Sequence, residues 1–295
     1  MNTFFLSPVY RISPFETSDY AKTIQYISQA HLDKSKCEPI KNDYNEYYTG
    51  SGREAIQLYL KNLQLKKEDE VAIITTTSSY YVSACVTSTI EKICKWAREI
   101  TNKTKCIIII HEFGKFYPHI KELYKYNIPI LEDFAHSFSA LYYTDVIQGD
   151  AAIFSLSKFL PLNGGGLLLS KEALKVKNNE NYHFLYQKYR EDIFNFFKKR
   201  KVVENHYINE LAKLDISPYF NYDKNESPGA FVFRIDKSLD YLQNMKIYLQ
   251  SNFIECSVFY KNKAFFLPCH HKLEVEDVKY ITNLIKEYIE KNDNQ

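Results

Sequence analysis

Five short apolar runs constrain this chain more than any other feature. They lie at 71–74, 106–110, 128–131, 151–154 and 167–169, and each ends at polar residues. Runs too short for a helix and apolar throughout read as strands buried on both faces, the mark of a mostly parallel sheet. Helical patterns fall between them. Residues 53–63 place Ile56, Leu60 and Leu63 on one face, and residues 119–126 follow Pro118. The alternation predicts an α/β fold: a mostly parallel central sheet flanked by helices. Polar residues crowd the C-terminal strand ends, where such sheets bind ligands.

After about Lys171 the texture changes. Residues 182–214 read as a long, mostly polar helical stretch, and 215–229 as a loop holding Pro218, Asn221, Asn225, Pro228 and Gly229. Residues 230–235 alternate like a strand, and 240–251 and 276–289 read as helices. The expected division is a large domain over 1–175, and a helical linker with a smaller α+β C-terminal domain over 176–295.

At 295 residues and 45% apolar the chain has material for a large core. A net charge of +2 gives no reason to propose nucleic acid or an anionic membrane as partner. No apolar run approaches a membrane span, and residues 1–8 lack the basic and apolar regions of a signal peptide. Cys37, Cys85, Cys94, Cys106, Cys256 and Cys269 form no CxxC pair. A cytoplasmic protein with reduced thiols is expected.

Two residues carry the chemistry. Asp133 closes one strand beside Glu132, and Lys158 follows the next. Taken singly, Asp133 reads as a solvated loop acid or helix cap, and Lys158 as a surface charge. Taken together they suit a site for pyridoxal phosphate (PLP). The amine forms a Schiff base with the cofactor aldehyde, and the carboxylate pairs with the protonated pyridine nitrogen. Phe154, Leu156, Phe159 and Leu160 flank the lysine, and apolar surroundings lower a lysine pKa. Ser155 and Ser157 offer hydroxyls to a phosphate.

Thr49-Gly50-Ser51-Gly52-Arg53 leads into the first confident helix. It reads as an ordinary Ser cap or, beside Lys158 and Asp133, as a phosphate seat on free backbone N–H groups with Arg53 adding charge. Gly164-Gly165-Gly166 precedes a strand, not a helix, which speaks against a dinucleotide or P-loop site. Close backbone approach or a tight strand entry is the better reading. His270-His271 have neither zinc spacing nor a second cluster, and His111 reads as a structural histidine.

These residues, in this order, resemble the DegT/StrS group of sugar aminotransferases, within the fold-type I PLP-dependent transferases. The stretches that carry the resemblance are 51–73 (SGREAIQLYLKNLQLKKEDEVAI), 105–140 (KCIIIIHEFGKFYPHIKELYKYNIPILEDFAHSFSA), 149–170 (GDAAIFSLSKFLPLNGGGLLLS) and 265–289 (FFLPCHHKLEVEDVKYITNLIKEYI). The resemblance implies that Lys158 holds PLP and moves the proton, and that Asp133 pairs with the ring nitrogen. It places His136 near the ring, Tyr81 stacked on it with Tyr80 as second choice, and Ser51, Gly52, Arg53 and Ser155 on the phosphate. It implies a homodimer with sites at its interface. The implied reaction passes an amine, usually from glutamate, to a keto group on a nucleotide-linked sugar, for surface glycans or deoxyamino sugars. Two departures stand out. No room is apparent for an extra strand between Ile90 and Cys106, and residues 171–192 do not match the segment that reaches the partner's site. Another PLP reaction (dehydration or small-molecule transamination) and a non-catalytic regulatory or structural role remain as alternatives.

Overall fold

The computed structural model describes residues 8–29, 40, 43–79, 81–260 and 262–293. Helix α1 (Asp19–Gln29) precedes strand β1 (Asn45–Thr49) and helix α2 (Gly52–Asn62). The chain continues through β2 (Glu70–Thr75), α3 (Ala84–Glu91), β3 (Lys95–Ala97), β4 (Thr104–Ile110) and the short α4 (Ile120–Leu123). Then come β5 (Ile130–Asp133), β6 (Ala151–Ser155), the single turn α5 (Leu156–Phe159) and β7 (Gly166–Ser170). The seven strands form one sheet in the order β1-β7-β6-β5-β4-β2-β3. Within it β7 runs antiparallel to both neighbours, while the other pairings are parallel.

The five apolar runs fall in β2, β4, β5, β6 and β7, and β4 shows why they look as they do. Its Cys106 and Ile108 pack with Ile56 and Leu60 of α2 and Ile90 of α3. Its Ile107 and Ile109 pack on the other face with Ile120 and Leu123 of α4. Successive strand residues point to opposite faces, so a sheet covered on both sides needs an unbroken apolar run. Each isoleucine buried this way contributes about 1.5–3 kcal/mol.

One expectation is corrected here. The stretch between Ile90 and Cys106 does hold a strand: β3 pairs in parallel with β2 at Glu70, Val71 and Ala72. It lies at the sheet edge, is three residues long, and leaves Lys95 and Trp96 exposed. An edge strand that buries so little carries no apolar run to read.

Past β7, the expected long helical stretch is two helices, α6 (Glu180–Tyr189) and α7 (Ile193–Ala212), joined by a 3₁₀ turn. Strand β8 (Phe231–Arg234), helix α8 (Leu239–Ser251), strands β9 (Ser257–Phe259) and β10 (Ala264–Leu267), and helix α9 (Val275–Asp293) complete the fold. The small strands form an antiparallel sheet in the order β8-β10-β9. Its core joins Phe231 and Phe233 of β8 to Met245 and Leu249 of α8 and Val278, Ile281 and Ile285 of α9. Helix α7 enters both cores. Ile193 and Phe197 pack with Phe154 and Phe159 beside the large sheet, whereas Val203, Tyr207 and Leu211 pack with the small one. Among the described residues no helix is long and apolar enough to cross a membrane.

Candidate active site

The parallel strands point their C-terminal ends at one edge, and a cleft of about 590 Å³ opens there. Its walls include Asp133, His136, Ser155 and Lys158 from the strand ends, Ser51, Gly52 and Arg53 from the start of α2, and Tyr81 from the loop after β2. All eight residues singled out in the sequence therefore meet in one place, in a volume suited to a small organic ligand. Tyr80, the second choice for the stacking ring, lies outside the described residues.

Asp133 is the last residue of β5, held between Ile110 of β4 and Ile153 of β6. It is 4% exposed, so it is not a solvated loop acid. Its Oδ1 accepts the Ala135 N–H at 2.9 Å. Burial pushes its pKa up to about 6, against the opposing pull of the Ala135 bond. A cation set against this carboxylate restores what burial takes away.

The adjacent acid turns the other way. Glu132 Oε1 accepts the Gln148 and Gly149 N–H groups, each at 2.6 Å, and Oε2 lies 3.0 Å from His111 Nε2. His111 Nδ1 accepts the Tyr117 N–H at 3.0 Å, which assigns the ring proton to Nε2. The imidazole stacks on Phe134 at 3.8 Å and 3°. His111 is thus fully engaged as a structural group.

At the other end of the cleft, Ser51 is the N-cap of α2, its Oγ accepting the Glu54 N–H at 3.2 Å. The Glu54 carboxylate in turn accepts the Gly50 N–H at 2.5 Å. The capping role is real, and Gly52 and Arg53, whose amides have no acceptor one turn back, line the cleft. Ser155 stands beside them, for a Cβ on Gly52 would lie 3.5 Å from the Ser155 Cβ. Arg53 is exposed at this end of the cleft. The three glycines let β7 pass under this turn. The Gly165 N–H donates to Gly50 O at 2.8 Å with φ at +97°, and a Cβ on Gly166 would lie 2.5 Å from the Ser51 carbonyl. Close backbone approach accounts for Gly165 and Gly166, while Gly164 lines the cleft.

Lys158 sits on α5, in the chain reversal between β6 and β7, and lines the same cleft as Asp133. Its apolar flanks Phe154, Leu156, Phe159 and Leu160 all turn into the core, and leave the lysine half-buried on the cleft wall. The apolar context seen in the sequence describes its neighbours' packing more than its own surroundings. His136 is pushed down to about 3, by burial first and then by the charges of Lys158 and Arg200, so its ring is neutral. Its buried Nδ1 has no hydrogen-bond partner among the described residues. Tyr81 is wedged against Phe113 (6.2 Å, 29°), Phe259 (5.6 Å, 82°) and Phe266 (5.9 Å, 68°). These residues would fit PLP: a buried acid could face the ring nitrogen, hydroxyls and helix-start amides the phosphate, and an amine the aldehyde.

Two residues escaped the sequence reading. Glu112 is buried behind the Tyr81 loop, where its carboxylate accepts the Thr77 N–H and Oγ–H, both at 2.7 Å, and the Ser79 Oγ–H at 2.5 Å. Its position just after β4 was a usable signal. Arg200, 1% exposed, lies beneath Lys158, hidden in the sequence within the run Lys198 to Lys201. Among the described residues no cluster of His, Cys, Asp and Glu is arranged to hold a metal. His270 and His271 are buried, and His271 stacks on Phe196 at 3.7 Å and 9°.

A family model described as "Putative PLP-dependent aminotransferase" matches residues 34–217. No curated protein matches the chain. Among solved structures, "Putative sugar aminotransferase Spr1654" from Streptococcus pneumoniae in its PMP form superposes with a TM-score of 0.72 at 16% identity, covering 98% of each chain. PseC from Helicobacter pylori, an aminotransferase involved in the biosynthesis of pseudoaminic acid, gives 0.70 at 14% identity, over 96% of this chain and 99% of that one. A DegT DnrJ EryC1 StrS aminotransferase from Brucella abortus gives 0.65 at 12%, over 92% and 97%. At such identities the likeness establishes the fold, that of fold-type I aminotransferases.

Proposed function

The chain belongs to the PLP-dependent aminotransferase family, and on that premise we propose that it transfers an amino group from glutamate to the keto group of a nucleotide-linked sugar. The observation that carries this reading is the convergence of Asp133, Lys158 and the α2 N-terminus on one cleft. Bound PLP supplies an electron sink for the carbon that gives up its nitrogen. Asp133 holds a proton on the ring nitrogen by charge pairing, a state its own burial makes favourable. The Gly52 and Arg53 amides and the Ser51 and Ser155 hydroxyls bind the phosphate. Tyr81 and His136 flank the ring, and the neutral imidazole adds no charge there. Lys158 Nζ anchors the cofactor, then takes and returns the proton at the substrate carbon that bears nitrogen.

The sugar assignment is supported by the fold shared with sugar aminotransferases and by room for a large substrate. A second hollow of about 470 Å³ adjoins the cleft through Gly50, and Asn178, Asn179 and Asn181 line it with hydrogen-bonding groups. A cytoplasmic homodimer is the setting this reading carries. The test is the visible absorbance of the protein with PLP, before and after excess glutamate. A yellow band that glutamate bleaches, absent in Lys158→Ala, is expected. A band indifferent to glutamate rejects that donor, and a band retained in Lys158→Ala rejects the lysine's role.

A further inference from the structure

Behind Lys158, on the side away from the cleft, the buried Arg200 side chain meets three segments. Its Nη2 donates to the Lys158 carbonyl at 2.8 Å, and its Nη1 to the Pro228 and Cys269 carbonyls, both at 3.0 Å. The guanidinium also lies over the Phe159 ring at 4.7 Å. Arg200 therefore ties the lysine turn α5 to the loop before β8 and the loop after β10, from a helix that enters both cores. Among the described residues no carboxylate pairs with it. Burial without an ion pair is costly for a guanidinium that never deprotonates, and three carbonyls offset only part of that cost. Such an arrangement persists where it fixes geometry.

A cavity of about 10 Å³ lies against this group, lined by His136, Ser139, Lys158, Arg200 and Ser227 among others. On residues that line it, four buried polar atoms have no partner among the described residues: Arg200 Nε, Ser139 Oγ, Ser227 Oγ and His136 Nδ1. That volume is near the least that holds one water, and two to four polar partners are what a buried water needs. Nε–H can only donate, while the hydroxyls donate or accept, so one water satisfies the set.

We propose that Arg200 is a positioning residue for Lys158, acting through its bond to the Lys158 carbonyl and through one water held among Arg200 Nε, Ser139 Oγ and Ser227 Oγ. The proposal rests on Lys158 being the cofactor lysine. The guanidinium fixes where α5 sits, and so where the lysine amine meets its target. The water couples the same guanidinium to the segment carrying His136 and Ser139. A misplacement of about 1 Å at a reacting group costs on the order of a hundredfold in rate, so a clamp on the lysine backbone has catalytic leverage without touching substrate.

Two measurements test it. In a crystal structure of the wild-type protein, a single density peak about 2.8 Å from Arg200 Nε and within reach of a serine hydroxyl is expected. No peak, or an anomalous peak at that spot after bromide soaking, overturns the water. The second measurement is single-turnover bleaching by the fastest L-amino-acid donor, for Arg200→Lys and Ser139→Ala. Arg200→Lys cannot span three carbonyls and is expected to slow the limiting rate about tenfold or more. Ser139→Ala is expected to slow it about two- to fivefold, with half-saturating donor within about threefold of wild type in both. Limiting rates within about twofold of wild type in both folded variants overturn the positioning role. If Arg200→Lys does not fold, Ser139→Ala decides. A wild type with no visible band refutes the aminotransferase reading instead, a different failure from an unslowed variant.

Discussion

Replacing Asp133 with Asn should stabilise the cofactor-free protein while crippling the enzyme. Burial lifts the Asp133 acid from 3.8 to about 6. An acid whose folded pKa exceeds its unfolded one favours the folded state when protonated, below about 3.8. That advantage is lost as pH rises toward 6 and is gone above it. At about 1.4 kcal/mol per pH unit, the ionised carboxylate costs the folded protein about 3 kcal/mol at pH 8, and about half that at pH 5. Asparagine keeps the shape, and its Oδ1 keeps the 2.9 Å bond from the Ala135 N–H, but it carries no charge to desolvate. Urea denaturation of both proteins without PLP, at pH 5 and pH 8, measures the difference. Asp133→Asn should be the more stable by about 3 kcal/mol at pH 8, and by about half that at pH 5. An equal difference at the two pH values, or a more stable wild type at pH 8, would sink the claim that the site stores an uncompensated acid. With PLP present the order should reverse or close, since the variant cannot pair with the ring nitrogen.

Three further outcomes follow from contacts in the site. Gly166→Ala places a Cβ 2.5 Å from the Ser51 carbonyl; it should cost about 1–3 kcal/mol and weaken PLP binding through the displaced α2 start, read by titration of the visible band. Glu112→Gln turns one acceptor into a donor facing Thr77 and Ser79; it should lose about 1–3 kcal/mol in urea denaturation and loosen the Tyr81 loop to proteolysis. Ile108→Ala, at a position with no exposure in the middle of β4, should cost about 2–5 kcal/mol while leaving the glutamate response of the folded protein intact.

The large sheet was readable because its central strands are covered on both faces. Ile107 to Ile109 must all be apolar, and a run so short and unbroken fits a doubly covered strand better than any exposed element. The edges were not readable for the converse reason. β1, Asn45–Thr49, faces solvent at its start, and β3 is half-exposed. The site residues were legible as a linear order, because parallel strands deliver each polar terminus to one edge. The apolar flanks of Lys158 marked it as more than a surface charge, and it is half-buried on the cleft wall. Arg200 was invisible for a different reason. A buried arginine inside Lys198-Lys199-Arg200-Lys201 looks like one more solvated charge, and only the packing of α7 between two cores singles it out.

The charges around the cleft show why this fold needs a guest to be at ease. Asp133 is a buried anion held above its ordinary pKa, with no cation bound to its carboxylate among the described residues. Arg200 is a buried cation that meets no acid among the described residues, held down to about 10 by desolvation. His136, between Lys158 and Arg200, is kept neutral by burial and by both charges. The α2 N-terminus adds partial positive charge at the far end of the cleft. A ligand with a protonatable ring nitrogen and an anionic tail answers two of these demands at once, at opposite ends and in the right sense. Protonating the ring against Asp133 relieves the acid's desolvation, and the phosphate meets the amides. Arg200 stays out of this exchange, which fits a role in holding Lys158 in place and not in binding the cofactor. Loading the site should therefore flatten the pH dependence of stability between about 4 and 6, where Asp133 titrates in the cofactor-free protein, while leaving any effect of Arg200 substitution on stability unchanged.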